Sequence, residues 1–498
     1  MKIRIASGSL SLDTFARMAG GRLCLRDLTA PPTVTGLCTD SREADADTLF
    51  VAIRGERVDG HRFIAATARA GCVAFLCERL PDGWESESEP PAAAVVVPDS
   101  VEALGRIARA WRTERTPNTA LVAITGSVGK TTTKEMTAAV LGASGKSFFK
   151  KDGNYNSTIG LPLSLLEMAE GTEVAVVEMG MSGRGEISAM SAAARPQIAV
   201  ITNIGSSHLE LLGTRENIAR AKLEIAEGLP RGGILLYNGD EPLLSALGQN
   251  FAGEKPHLPP DIRPMSLSPS GGPSAFSAIH AKAVDGGMQF DLQTPDGVLS
   301  ELFVPAPGEH MVAAGAFAAA VGLLSGMEPD AIRAGLRCYR AAALRQGMRT
   351  VAGVTLLEDC YNAAPESMAA ALSVLGLVSA AGRRVAVLGD MKELGENTVA
   401  LHRAVGESVA RLKVDLLVTV GELGAHIAAG ALAAGLPAHQ IHITASDGND
   451  PTEAYPATAA WLANCLRPGD TVLFKASRAM ALERLSAALA AHWLSETD

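Results

Sequence analysis

The stretch Leu121-Val122-Ala123-Ile124-Thr125-Gly126-Ser127-Val128-Gly129-Lys130-Thr131-Thr132 decides the reading of this chain. Its first residues form an apolar strand, its two glycines a tight turn, and the run from Lys130 opens a helix. Gly126 and Gly129 let the backbone bend and aim its N–H groups at phosphate oxygens, and the new helix adds its positive N-terminal end. Lys130 would reach the β/γ-phosphates and the Thr131 hydroxyl would bind Mg²⁺, with Thr125, Ser127, Val128 and Thr132 as the rest of the nucleotide loop. The loop is compact. The pattern G-x-x-x-x-G-K-T would need glycine at position 124, which is Ile124 here, and the first glycine comes two residues later. A glycine-rich turn without a ligand is the plain alternative, and the strand–loop–helix setting argues against it.

Outward from this loop the chain alternates strand and helix. Val174–Glu178, Ile198–Thr202 and Ile234–Tyr237 read as further strands with helical patterns between them, which predicts a mostly parallel sheet. Gly253–Pro273 is rich in Pro, Ser and Gly and reads as loop. Ala278–Phe303 alternates like antiparallel strands around Asp285-Gly286-Gly287, and a helix follows at about Met311–Gly326. Before the loop, Leu49–Ile53, Val73–Cys77 and Ala93–Val97 read as strands, His61–Ala70 and Val101–Arg115 as helices, and Pro81–Pro91 as an exposed loop. After it, Val354–Glu358, Arg384–Gly389, Asp415–Val420, Gln440–Thr444 and Thr471–Lys475 alternate with helices, the pattern of a doubly wound Rossmann-like α/β domain. The expected organisation is α/β in three domains: residues 1–116, a central phosphate-loop domain over 117–340, and 341–498.

The length of 498 residues suits that count, at roughly 100–200 residues per domain. Hydrophobic residues make up 47%, enough for several cores. A formal net charge of -10 without long basic runs makes the chain a poor candidate for general nucleic-acid binding. The cysteines Cys24, Cys38, Cys72, Cys77, Cys338, Cys360 and Cys465 are scattered and contain no C-x-x-C pair, so they read as core residues of a reducing compartment. No signal-peptide pattern and no apolar run of about 20 residues is present, so a cytoplasmic protein without membrane insertion is expected.

Other motifs gather around the loop. Glu178 ends a hydrophobic strand, where an acid in a phosphate-loop domain faces the metal, although a helix-capping role is the bland alternative. Asn203-Ile204-Gly205-Ser206-Ser207-His208 follows another buried strand, at the end of the sheet where α/β ligand sites form. Gly153-Asn154-Tyr155-Asn156-Ser157-Thr158 is a polar loop, and Glu358-Asp359-Cys360-Tyr361-Asn362-Ala363-Ala364-Pro365 follows a strand. The compact loop and these motifs together resemble the Mur ligases, a superfamily shared with folylpolyglutamate synthases, over nearly the whole chain.

The resemblance implies a ligase that phosphorylates a carboxylate with ATP and lets an amine displace the phosphate. Within the family the match is to the dipeptide-adding branch. It implies UDP-N-acetylmuramoyl-tripeptide and D-alanyl-D-alanine as substrates and a monomeric enzyme of peptidoglycan synthesis. It implies two Mg²⁺ sites drawn from Thr131, Glu178, His208 and a carbamate that CO₂ forms on Lys222, in Ala219-Arg220-Ala221-Lys222. It places Lys130, His208, Lys222 and Arg349 in catalysis, Arg349 reaching across to the phosphates, and Asp359 on the ribose. Leu388-Gly389-Asp390-Met391-Lys392 and Lys475-Ala476-Ser477-Arg478 also match. His310 belongs to the ATP set, while Met311 and Ala314 stand where the family carries two amides, the second facing adenine. Substrate contacts are implied at Asn154, Asn156 and Asn362 and, in the first domain, at Thr39, Asp40, Ser41, Arg42, Phe50, Gly60 and His61. Two branches that add single amino acids start with a glycine-rich dinucleotide-like fold, and no such loop precedes residue 55. A third carries Asp-Asn-Pro-Arg, absent from Ser446-Asp447-Gly448-Asn449-Asp450-Pro451. A phosphate-loop NTPase without an acceptor is the reading from another class, and the grouping of Glu178, His208 and Lys222 favours the ligase.

Overall fold

Alternating side chains on the strand Ala120–Thr125 explain the centre of the molecule. Val122 and Ile124 face one core, Leu121 and Ala123 another, so the strand is buried on both sides, as parallel strands under two helical layers are. The structure is a computed structural model, described for all residues except 83, 85–89, 247–257, 379–380, 445–449 and 496–498. Part of Pro81–Pro91, the start of Gly253–Pro273 and the stretch Ser446–Asn449 therefore lie outside the described residues.

The central sheet has nine strands in the order Phe148–Lys150, Val174–Glu178, Ala120–Thr125, Ile198–Ile201, Ile234–Asn238, Arg263–Ser268, Phe276–Val284, Gly287–Thr294 and Gly297–Val304. It is parallel up to Phe276–Val284 and antiparallel in the last two pairings. The helices Lys130–Gly142 and Glu309–Leu324 share one core through Met136, Val140, Phe317 and Val321. Arg263–Ser268 corrects the reading of Gly253–Pro273 as loop throughout. Pro264 hid it. That residue pairs with Leu235 on one side, while the other neighbour begins pairing only at Leu267, so the missing N–H is not needed.

Two six-stranded sheets flank this one. In the first, parallel strands Gly36–Cys38, Thr48–Val51, Ala74–Cys77 and Ala92–Val96 are edged by antiparallel Lys2–Arg4 and Arg22–Arg26. In the last, Val354–Glu358, Thr471–Lys475, Arg384–Gly389, Leu416–Val420 and Ile441–Ile443 run parallel, and Gly347–Val351 pairs antiparallel with Val354–Glu358. The α/β architecture with mostly parallel sheets is thus as expected. The short strands Lys2–Arg4, Arg22–Arg26, Phe148–Lys150 and Gly347–Val351 were not read from sequence, since three to five residues carry too little periodicity, whereas the edge strand Ile441–Ile443 was, as Gln440–Thr444.

The first two sheets are joined firmly. In the helix Ser100–Glu114, Trp111 is fully buried and its indole N–H donates to Met168 O at 3.1 Å. Arg112, 3% exposed, donates to Ala194 O (2.9 Å), Thr116 Oγ1 (2.9 Å) and Thr119 O (3.1 Å). The passage to the last sheet is different: Leu344 and Gln346 both hold positive φ, 59° and 53°, uncommon for residues with a Cβ.

Candidate active site

A cleft of about 630 Å³ opens at the C-terminal ends of the central strands, roofed by the last unit, within the size range of small-molecule sites. Its floor is the loop Gly126–Lys130. Gly126 has φ 155°, and a Cβ there would stand 1.9 Å from Thr202 Oγ1, so only glycine fits. Thr202 Oγ1 donates to Val128 O at 2.7 Å. The N–H groups of Ser127 and Val128 both donate to Asn203 Oδ1, at 3.1 and 3.0 Å. An oxygen acceptor therefore already sits on this anion-seeking backbone. Lys130 Nζ folds back on Gly126 O (2.9 Å) and Ser127 O (3.3 Å); burial lowers its pKa, and Glu178 counters.

The Thr131 hydroxyl donates to Glu178 Oε2 at 2.7 Å, and Asn156 Nδ2 donates to Glu178 Oε1 at 2.7 Å. Two hard oxygens thus face the cleft side by side, a donor set suited to Mg²⁺ completed by phosphate and water. Among the described residues no three His, Cys, Asp or Glu side chains converge as a metal site by themselves. His208 lines the cleft at φ 66°, with Nδ1 2.7 Å from Glu393 Oε2 of the last unit. Lys222 lies in the helix Arg215–Leu223 and is 1% exposed, and no hydrogen bond or ion pair reaches its side-chain amine among the described residues. Burial and then the charge of Lys130 drive its pKa well below that of an ordinary lysine. A lowered pKa favours the neutral amine over the ammonium, and the neutral amine is the nucleophilic form.

The roof brings Asp359 and Asn362 onto the same cleft, where they meet His310, Met311 and Ala314 from the central helix Glu309–Leu324 and Asn154 and Asn156 from the floor. Lys475, 2% exposed, donates to Asp359 Oδ2 at 2.6 Å and to Asn362 O at 3.0 Å, pinning that loop. Gln346 Nε2 meets His310 Nε2 at 2.6 Å, and burial lowers the His310 pKa.

Arg349 requires correction. It lies on the strand Gly347–Val351, where its guanidinium binds Glu358 (3.2 and 3.0 Å) and Ser486 Oγ (3.3 Å), outside the cleft. Cross-strand pairing on that strand supplies its partner. The arginine in the cleft is Arg345, four residues earlier, stacked 4.2 Å above the Tyr361 ring. Asn203, Gln346 and Glu366 were also not assigned roles from sequence. Asn203 carried a signal, its place directly after a buried strand.

In the first unit Phe50 is 1% exposed and packs edge-on against Phe75, 6.4 Å between centroids, so it is core rather than a substrate contact. His61 is buried with both ring nitrogens engaged, Nδ1 with Asp59 Oδ1 (2.7 Å) and Nε2 accepting from Glu78 N (2.9 Å). A Cβ at Gly60 would meet the Ile53 backbone at 2.8 Å, which accounts for that glycine. Asp40 pairs with Arg42 at 2.6 Å, and the Arg42 hydrogen bonds hold its carboxyl far below the usual range. Thr39 and Ser41 are half-buried beside them. None of Thr39, Asp40, Ser41 and Arg42 lines the cleft.

Three family models match the chain: "Mur ligase family, catalytic domain" over residues 33–112, "Mur ligase middle domain" over 124–322 and "Mur ligase, glutamate ligase domain" over 345–478. The chain is 38% identical to the UDP-N-acetylmuramoyl-tripeptide–D-alanyl-D-alanine ligase of Bacillus subtilis, covering 91% of this chain and 92% of that one. It superposes on a crystal structure of MurF from Acinetobacter baumannii with a TM-score of 0.83 at 28% identity, covering 98% of this chain and 100% of that one. The MurF ligase of Thermotoga maritima in complex with ADP matches with a TM-score of 0.77 at 28% identity, covering 92% and 98%.

Proposed function

Because the chain belongs to the Mur ligase family, we propose that it joins D-alanyl-D-alanine to UDP-N-acetylmuramoyl-tripeptide with ATP, making a peptidoglycan precursor. It is an ATP-dependent ligase. The observation that carries the substrate assignment is similarity to a ligase of that name along nine-tenths of both chains.

In the proposed mechanism the N–H groups of Ser127 and Val128 leave Asn203 for the terminal phosphates of ATP, and Lys130 swings from its loop carbonyls to the same oxygens. Arg345 neutralises charge from the roof, the role first assigned to Arg349. Asp359, held by Lys475, orients the ribose, and Met311 and Ala314 wall the adenine. The tripeptide carboxylate attacks the γ-phosphorus and ADP leaves. The dipeptide amine attacks the resulting acyl phosphate, and phosphate departs from the tetrahedral intermediate. Catalysis is positioning and charge neutralisation in a cleft closed to water.

Thr131 and Glu178 would hold one Mg²⁺, and His208 with modified Lys222 a second; bound metal would offset phosphate charge. The Lys222 amine adds to CO₂, a proton leaves, and the carbamate carries two oxygens. Its negative charge would replace repulsion from Lys130 by attraction. We assign residues 1–116 to the UDP-muramoyl moiety with Thr39, Asp40, Ser41 and Arg42 near it, 117–340 to ATP and 341–498 to closure. Asn154, Asn156 and Asn362 would face the peptide. No described helix is long and apolar enough to cross a membrane; with a nucleotide-linked substrate, we place a monomeric enzyme in the cytoplasm.

The test is the substrate dependence of ADP formation by the full chain. Formation only when both the UDP-tripeptide and the dipeptide are present supports the proposal. Steady ATP hydrolysis without an acceptor would return the NTPase reading.

A further inference from the structure

Besides Glu393, which meets His208 and accepts from the Glu210 N–H, the roof is tied to the floor by a contact the reaction scheme does not use. Glu366, in the first turn of the helix Pro365–Leu377, accepts hydrogen bonds from Ser206 N (2.9 Å) and Ser206 Oγ (2.9 Å), across 160 residues of sequence. Both donors go to one oxygen, Oε1; Oε2 is buried on the cleft wall without a hydrogen-bond partner. Gly205 makes the fit possible: a Cβ there would lie 2.9 Å from the Glu366 carboxyl carbon. Ser206 belongs to the segment between the strand Ile198–Ile201 and His208, so the carboxylate grips the loop that presents His208.

We propose that Glu366 is a positioning residue, a latch that holds the carboxyl-terminal unit shut over the nucleotide cleft by gripping Ser206. Closure must offset the left-handed backbone of Leu344 and Gln346 in the connecting segment. The charge-assisted pair supplies attraction that exists only when roof and floor meet. Because the first two units are fastened through Trp111 and Arg112, motion concentrates at that segment. The latch rests on the closing step of the ligase reading but not on its chemistry.

The experiment compares full-length wild type, Glu366→Ala, Glu366→Gln, Ser206→Ala and the double variant. The radius of gyration is measured by small-angle scattering with and without a non-hydrolysable ATP analogue, alongside kcat and KM. Loss of the two charge-assisted bonds to Glu366 shifts the closed-to-open ratio by roughly tenfold or more, since each such bond alone is worth about tenfold. Glu366→Ala should stay expanded with the analogue and lose kcat by that factor, with its thermal midpoint unchanged. Glu366→Gln, whose amide oxygen still accepts, should close. Ser206→Ala should have an effect in wild type and none in Glu366→Ala. Normal compaction of Glu366→Ala, or single effects that multiply in the double variant, overturns the latch. If Glu366→Ala fails to fold, Gly205→Ala displaces the same carboxylate and must stay expanded. Failure of the ligase assignment would show in the acceptor requirement and leave the scattering result standing.

Discussion

Replacing Lys222 by Met should stabilise the nucleotide-free protein and inactivate it. Lys222 is 1% exposed, and its amine has no partner among the described residues. Methionine keeps a flexible stem of similar length in the same space, so packing changes little. Taking a polar group out of water costs about 1–3 kcal/mol by protein substitution data, and the substitution removes that desolvation cost. For a unit of about 200 residues each 1 kcal/mol moves the midpoint about 2–4 °C, so the variant should melt several degrees higher. The assay is thermal unfolding in CO₂-depleted buffer without nucleotide or metal, paired with turnover under saturating substrates. Turnover should fall about 100-fold or more, the scale seen when a preorganised charge is removed. Lys222→Ala should likewise be inactive, and added acetate should restore part of its turnover by supplying carboxylate oxygens. A drop in midpoint would show that the amine has a stabilising partner. Near-normal turnover, or a high-resolution map with bare ammonium beside Mg²⁺ and nucleotide, would refute the carbamate.

Other consequences separate neighbouring residues. Arg345→Ala should lower kcat/KM by about 100-fold or more, whereas Arg349→Ala should leave steady-state rates within a few-fold and change only stability, both read from phosphate release. Asp470 is 2% exposed; burial alone would raise its pKa, but hydrogen bonds from Arg383 and the Arg467 N–H outweigh it and leave the pKa lowered. Its folded-state pKa lies below the unfolded one, so its contribution is complete above the ordinary carboxylate range and fades as pH falls through the folded value. Asp470→Asn should therefore cost about 1–3 kcal/mol at neutral pH, less than for a fully buried pair because Arg383 stays partly solvated, with the gap to wild type shrinking in acid, by urea titration at several pH values. Met311 and Ala314 offer the base no side-chain amide, and one missing base hydrogen bond is worth on the order of 1 kcal/mol. Discrimination for ATP over GTP in kcat/KM should be correspondingly weak, and a strong ATP preference would contradict that account of the wall.

The phosphate-loop unit was the most legible part of the sequence, because Leu121–Thr125 and Val174–Glu178 are long apolar strands and the glycines between strand and helix have few other uses. The grouping of Lys130, Thr131, Glu178 and His208 could be anticipated because each ends or follows a strand or opens a helix at one end of the central sheet, whereas His310 and Asp359 were legible only through the family resemblance. What failed lay where one residue's displacement changes the outcome. Arg345 and Arg349 differ by four positions, but one precedes the strand and the other lies on it, facing Glu358. Phe50 and His61 were expected at the substrate only through the family resemblance of the first domain, and the first sheet uses both as packing. Glu366 gave no signal at all, since its partner is 160 residues away.

The most direct test of the central claim is to incubate the full-length protein with ATP, Mg²⁺ and UDP-N-acetylmuramoyl-tripeptide, and to offer separately D-alanyl-D-alanine, D-alanine, L-lysine, diaminopimelate and D-glutamate. Product is identified by mass, with phosphate measured in parallel. The account predicts one condensed product, tripeptide plus D-alanyl-D-alanine less one water, with phosphate released in equal amount. Condensation with a single amino acid in preference to the dipeptide, or phosphate release without condensed product, would contradict it.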